Sequence, residues 1–237
     1  MANDEACLID LGLLNYEEAW AFQKQVWELR VQERIPDTLI LVEHPPVITL
    51  GKSGKTANLL LPEAELQSRG VGIFRVERGG DVTYHGPGQL VGYPIFRLAG
   101  ALAGVRRFVE NMELSLIQTL GAWGIAATMK PGLTGVWKDD RKIAAIGVAV
   151  RRQVTFHGFA LNVNPDLTPF SYIVPCGIRD MGVTSMAREL GRQVSMPAVK
   201  HQVVATFEGV FDKDFRLICK GCVRQSLVLG PSSVPGS

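Results

Sequence analysis

In "NYEEAWAFQKQVWELRVQER" the apolar residues Tyr16, Ala19, Trp20, Phe22, Val26, Trp27 and Leu29 recur at helical spacing. The pattern predicts an amphipathic helix over 15–34 lying on the core, with Asn15 placed to cap it. "TLILVEH" and "VITLG" then read as strands separated by a Pro-Pro pair, and "PEAELQSRG" as a short helix before the strand "VGIFRVE". Gly79-Gly80 breaks that strand, and "QLVGYPIF" resumes the strand pattern. "GVRRFVENMELSLIQTLGAWG" carries apolar residues at 105, 108, 109, 112, 116 and 120 on one helical face and ends in glycines. "TGVWKDDRKIAAIGVAV" places a polar "KDDR" between two strand-like runs, a hairpin pattern, and "VTFHGFALNV" is a further strand. Ser195 and Pro197 open a last helix, "MPAVKHQVVATFEGVF".

With no internal repeat and no linker-like break, these elements predict one α/β domain, a mixed sheet with helices packed against it. The chain of 237 residues with 46% hydrophobic positions is long enough for a sizeable core. Its 25 Lys and Arg against 23 Asp and Glu give a net charge of +2, so bulk electrostatics make no case for nucleic acid or a membrane surface. No run approaches the roughly 18 apolar residues of a membrane helix. The N-terminal "MANDEACLIDLG" has no signal-peptide pattern. Four cysteines at 7, 176, 219 and 222 make a poor disulfide framework and point to a reducing compartment. A cytoplasmic location is therefore expected. The tail "LVLGPSSVPGS" reads as loop, and residues 216–237 are expected to be a partly disordered extension of a catalytic domain over 1–215.

Three motifs invite chemistry without the residues to support it. "GKSGKT" ends like a phosphate loop but has Thr49 where the first glycine is required. "HGPGQLVG" misplaces the third glycine of a dinucleotide fingerprint, and a strand pattern follows it instead of a helix. "CKGC", with Cys219 and Cys222, lacks a second ligand pair, only His201 being nearby, so it reads as two solvent-side thiols and no metal site is expected.

The densest unusual segment is "RGGDVTYHGPGQLVGYPI", which joins a glycine pair, a Thr-Tyr-His cluster and a Gly-Pro-Gly that lets a ligand approach the backbone. Each part has a plain structural explanation; together they fit a binding wall. "RKIAAIGVAV" sets Lys142 before a strand of small apolar residues, "HGFALNVN" supplies His157 and Gly158, and "IVPCGIRDMGVTS" places Cys176 between a proline and a glycine.

In these segments the sequence resembles the octanoyltransferases of lipoate biosynthesis. The matching pieces are "RGGDVTYHGPGQLVGYPI", "GVWKDDRKIAAIGV", "HGFALNVNPDL" and "IVPCGIRDMGVTSM", in the family's order, with coverage from about residue 8 to about residue 212. The resemblance implies a fold like that of biotin protein ligases and lipoate-protein ligases, and transfer of an octanoyl group from octanoyl-acyl carrier protein to a lysine of lipoyl domains. Those acceptors would be lipoyl domains of 2-oxoacid dehydrogenases and the glycine cleavage H protein. It implies Cys176 as carrier of a thioester and Lys142 beside it. It implies an acyl pocket from Arg78, Gly79, Gly80, Asp81, Val82, Thr83, Tyr84 and His85, with Ala145, Ile146 and Gly147, and with His157, Gly158, Phe159 and Ala160. No cofactor is implied, because one thioester is exchanged for another. Two other readings stay open on the residues alone: an ATP-dependent ligase of the same fold, which would not need Cys176, and a non-catalytic module that binds a carrier protein or lipid.

Overall fold

Three strands of the chain are almost continuously apolar, and all three lie at the centre of the main sheet. β2 (Thr38–Glu43), β6 (Gln89–Ile95) and β10 (Val154–Asn162) are buried along nearly their whole length, as strands covered on both faces must be. The computed structural model describes residues 4–102, 104–174 and 182–223. Among these, the main sheet also contains β1 (Asp4–Leu13), β7 (Thr128–Lys130), β8 (Leu133–Lys138), β9 (Arg141–Arg151) and β12 (Lys213–Leu217), in the order β12-β1-β2-β6-β10-β9-β8-β7. β11 (Gly182–Val183) pairs with the start of β9. β1 runs parallel to both β2 and β12, whereas β2, β6, β10 and β9 alternate antiparallel, so the sheet is mixed as expected.

Helices cover both faces. α1 (Tyr16–Val31) buries Ala19, Phe22, Val26 and Leu29 on Ile40, Val91, Ile95 and Phe156. α3 (Val105–Gly121) and α5 (Met196–Phe211) bury Phe108, Met112, Leu116, Val203, Phe207 and Phe211 on the other side, against Leu39, Leu41, Leu90 and Leu161. Phe108 and Phe211 meet edge to face with ring centroids 5.5 Å apart. A second sheet, β4 (Gly72–Arg75), β3 (Val47–Leu50) and β5 (Val82–His85), packs with α2 (Glu63–Ser68) around Ile48, Leu50, Tyr84 and Phe170. The helix α4 (Met186–Leu190) is capped by Ser185, whose side chain accepts from the Arg188 N–H.

Several sequence readings are corrected in detail. α1 ends at Val31, short of residue 34, with Glu33 in the left-handed region at φ 60°. Asn15 sits at the cap position, but its side-chain amide donates to Glu18 Oε1 at 3.3 Å and takes no backbone N–H of the helix. Val105, counted on the apolar face of α3, is exposed. β1 was not foreseen. It is closed by β12 from the far end of the chain, and the domain boundary expected after residue 215 falls inside β12. The buried Asp37 carboxylate secures this edge, accepting from Arg30 Nε at 2.7 Å and pairing with Lys213 Nζ at 3.0 Å. Val223 is buried in the α1 cluster, while Cys219 and Cys222 are exposed. Residues 224–237, including most of the tail, lie outside the described residues.

Candidate functional site

β9 and β10 form a hairpin in which Ala145 to Gly147 of one strand face Gly158 to Ala160 of the other. The turn between them, Arg152-Gln153, has positive φ at both residues, which keeps this register without distortion. Small residues at these positions leave room above the sheet, and the space is closed by the 78–85 segment and α1. The resulting cavity encloses about 540 Å³, its mouth included. Lys142, Ala145, Ile146 and Gly147 line one wall, and His157, Gly158, Phe159 and Ala160 another. Arg78, Gly80, Asp81, Val82, Thr83 and His85 form the third.

Glycine is required where the walls touch. A Cβ at Gly147 would stand 2.8 Å from the Gly79 carbonyl, and one at Gly158 would stand 2.1 Å from the Gly92 carbonyl. The two glycines therefore let β10 lie against β6 and the 78–81 turn lie against β9. Gly79 secures that turn by donating its N–H to the Val148 carbonyl at 2.8 Å.

Arg78 builds the turn. Its buried guanidinium donates to Thr49 Oγ1 and the Thr49 carbonyl, the latter at 2.6 Å, and to the carbonyls of Gly79 at 3.0 Å and Asp81 at 2.9 Å. Residues 51–55 fold onto the same turn: Gly51, Lys52 and Ser53 donate their N–H groups to the carbonyls of Asp81, Arg78 and Gly80. The Asp81 carboxylate accepts from the Lys55 N–H and from Asn58 Nδ2. The amides of residues 51–55 are thus already engaged by protein carbonyls and the Asp81 carboxylate, a physical reason beyond the missing glycine.

Lys142 lies at the start of β9, its ammonium donating to the Thr134 carbonyl at 3.1 Å and standing 4.7 Å from the centre of the Trp137 ring. The histidines around the cavity are kept neutral. Burial lowers His85 and His157 to about 3, with the neighbouring His44 and Arg78 charges respectively adding to the effect, and lowers His44 to about 4. Neutral partners hold the rings of two of them: His44 Nδ1 by the Leu14 carbonyl, His44 Nε2 by the Tyr93 hydroxyl at 2.8 Å, and His85 Nδ1 by Gln89 Oε1 at 2.6 Å. His157 Nε2, by contrast, makes no hydrogen bond among the described residues and lies 3.7 Å from Glu77 Oε2. His157 has positive φ in mid-strand, and its N–H donates to Gln23 Oε1 from α1. The cavity wall is apolar along the Ala145–Gly147 and Gly158–Ala160 strands and polar toward Arg78, Asp81 and Lys142, and it suits a chain of methylenes with a polar head at one end.

Of the residues expected from the sequence, Gly79 and Tyr84 are not in the lining. Tyr84 points to the opposite face of β5 from Thr83 and His85 and packs edge to face on Phe170, centroids 5.5 Å apart. Cys176 lies outside the described residues, which stop at 174 and resume at 182. Beyond the named pocket residues the lining includes Val91 and Tyr93, from the 78–95 segment that fits a binding wall, and Tyr16 of α1, which nothing in the sequence marks. Tyr16 was counted as ordinary helix core, and burial pushes its phenol well above the usual range. The signal for Tyr93 was a hydroxyl inside an otherwise apolar strand. No cluster of three His, Cys, Asp or Glu suited to a metal ion occurs among the described residues, nor does a helix long and apolar enough to cross a membrane.

A mixed sheet of this order, covered by helices, is the fold of solved lipoate-protein ligases and of a biotin protein ligase. Lipoate-protein ligase A bound with ATP superposes with a TM-score of 0.72 at 16% identity, covering 95% of this chain and 94% of that one. A bi-partite lipoate protein ligase from Thermoplasma acidophilum gives 0.72 at 16% identity (94% and 92% covered), and the biotin protein ligase of Aquifex aeolicus gives 0.52 at 10% (87% and 68%). Within that fold class the chain belongs to the lipoyl protein ligase A/B catalytic domain family, whose model matches residues 15–208. Among its relatives, the octanoyltransferase of Dictyoglomus turgidum is 54% identical over 190 residues, 80% of each chain. The octanoyltransferase of Caldicellulosiruptor saccharolyticus is 47% identical over 212 residues, 89% of this chain and 90% of that one.

Proposed function

We propose that this protein is an acyltransferase of lipoate biosynthesis in the cytoplasm, moving an octanoyl group from octanoyl-acyl carrier protein to a lysine of lipoyl domains through a thioester on Cys176. The observation that carries the reading is the cavity in which Lys142 meets the small-residue walls of Ala145 to Gly147 and Gly158 to Ala160. The identity to octanoyltransferases over most of the chain supports it. Acceptors would be the lipoyl domains of 2-oxoacid dehydrogenases and the glycine cleavage H protein.

The residue types suit the chemistry. A thiol with a free pKa of about 8.5 is mostly protonated at neutral pH, so the reaction needs a group to take its proton. Lys142, in its neutral amine form, receives it, giving a thiolate and an ammonium. The thiolate attacks the octanoyl carbonyl; the bond to the carrier's sulfur breaks, and that sulfur leaves with the proton from Lys142. In the second half the acceptor lysine attacks as a neutral amine, the bond to the Cys176 sulfur breaks, and Lys142 passes the amine's proton to that sulfur. A thioester is exchanged for a thioester and then for a more stable amide, so no nucleotide or other cofactor is called for. The apolar walls suit the eight-carbon chain, and the histidines beside it are uncharged at neutral pH.

Transfer to a lipoyl domain separates this reading from an ATP-dependent ligase. Cys176→Ser and Lys142→Ala should each lower octanoyl transfer by at least about 100-fold, with no requirement for ATP, in line with the loss of a nucleophile or its proton acceptor. Transfer at near wild-type rate by Cys176→Ser, or transfer that depends on ATP and free octanoate, would overturn it.

A further inference from the structure

The reaction as described makes no use of one buried carboxylate close to Lys142. Glu113 faces inward from α3, only 6% exposed, and its Oε1 accepts the Gly135 N–H from β8 at 2.7 Å. Gly135 has φ 124°, at the place where the pairing of β8 with β9 shifts register between Val136 and Trp137. The close fit there is to Lys142: a Cβ on Gly135 would stand 3.3 Å from the Lys142 Cε and 2.7 Å from the Ala144 carbonyl. The preceding residue, Thr134, supplies the carbonyl that accepts from the Lys142 ammonium, and Trp137 supplies the ring beneath it. Trp137 is itself fixed, its indole N–H donating to the Leu133 carbonyl at 3.1 Å. Three residues of one short strand, Thr134, Gly135 and Trp137, thus shape the place of a single lysine, and the carboxylate from α3 pins that strand in the middle.

We propose that Glu113 is a positioning residue for Lys142. Through Gly135 it fixes the strand against which the lysine stem and ammonium lie, and its negative charge favours the ammonium, and with it the thiolate–ammonium pair. This deepens, and rests on, the assignment of Lys142 as the proton partner of Cys176. The charged groups acting on Glu113 are Lys142, across β8, and Glu110, one turn earlier on α3, which is paired with Arg106 at 2.9 Å. Burial raises the Glu113 carboxyl above its usual range, while the Gly135 N–H and Lys142 oppose that rise. A buried carboxylate with one backbone donor is costly unless a cation lies near it, and Lys142 is that cation.

The test uses the full-length protein and two variants. Glu113→Gln keeps an oxygen for the Gly135 N–H and removes the charge; Glu113→Ala removes both. Labelling with acetic anhydride across pH, read at the Lys142 peptide by mass spectrometry, reports how readily that amine loses its proton without requiring any turnover. In Glu113→Gln the labelling midpoint should fall by about 0.5 to 1 pH unit, the size expected for losing one nearby opposite charge, and acylation by the octanoyl donor should slow by about 3- to 10-fold. Glu113→Ala should slow it further. A midpoint in Glu113→Gln within about 0.2 pH units of wild type, well under the shift expected for losing a nearby opposite charge, overturns the proposal whatever the rate does. The same holds if Glu113→Gln acylates at the wild-type rate. Lys142→Ala serves as the separate control: continued transfer by that variant defeats the assignment of Lys142 and leaves the labelling shift in Glu113→Gln to be judged alone.

Discussion

Replacing Arg78 by methionine keeps the apolar stem and deletes the guanidinium that ties the 78–81 turn to β3. Four acceptors lose a charged donor: Thr49 Oγ1, the Thr49 carbonyl, and the carbonyls of Gly79 and Asp81. Hydrogen bonds from charged groups contribute about 1.5–3 kcal/mol each, and Asp81 keeps its bond from the Gly51 N–H. Counting three of the four at about 1.5 kcal/mol gives roughly 4.5 kcal/mol. Relief from burying a cation offsets about 1 kcal/mol of this, so the expected net loss is about 3–4 kcal/mol. Urea unfolding followed by intrinsic fluorescence should show that loss, and the melting temperature should drop by roughly 10 °C, given about 2–4 °C per kcal/mol for a chain of this size. Arg78→Lys should recover less than half of it, since a point charge cannot replace a fork that reaches β3 and the turn together. A loss under about 1 kcal/mol in Arg78→Met would refute the view that this side chain organises the cavity wall.

Other outcomes follow from the same contacts. His44, His85 and His157 are held neutral by burial, at about 4, 3 and 3. The unfolded chain, with histidines near 6.5, then binds more protons below that pH. Stability should be full above about pH 6.5 and fall as pH drops from there toward 4, at up to about 1.4 kcal/mol per pH unit for each histidine; a flat urea midpoint between pH 7 and 5 would contradict it. Gly158→Ala should lower stability by about 2–4 kcal/mol by calorimetry, because β6 must move off the new methyl. Thr119 and Thr206 share a buried bond of 2.8 Å between α3 and α5; either change to valine alone should cost about 1–2 kcal/mol and the double change less than their sum, a coupling that a double-mutant cycle in urea measures.

How much of this was legible depended on where the signal lay. β6 and β10 were readable because strands buried on both faces are written as continuous apolar runs, and α3 because Phe108, Met112, Leu116 and Leu120 keep a strict helical spacing. β1 was not, since only Ala6 and Ile9 are buried along it and its register shifts between Asp10 and Leu13. Its partner β12 joins it from about 200 residues away, a pairing no local window contains. The Lys142 and glycine walls of the cavity were legible through the motifs that resemble the octanoyltransferases, since a lysine at a strand start and small residues in a strand have plain structural explanations on pattern alone. Tyr16 was not, nor did Tyr93 stand out within its segment, because a hydroxyl facing a cavity and one satisfied in a core look alike in sequence; only the fold brings Tyr93 to His44. The "CKGC" pair was read as solvent-side. Its thiols are exposed, and hydrogen bonds from Cys222 hold the Cys219 thiol below its usual range.

The central claim is that the octanoyl group rests on one sulfur between donor and acceptor. Intact-protein mass spectrometry after mixing the full chain with octanoyl-acyl carrier protein, without acceptor, tests it most directly. The account predicts one added octanoyl mass, mapped to Cys176 by peptide analysis, absent in Cys176→Ser and discharged on addition of a lipoyl domain. Full octanoyl transfer to the lipoyl domain with no acyl mass on Cys176 at any time, or the same mass on Cys176→Ser, would contradict it.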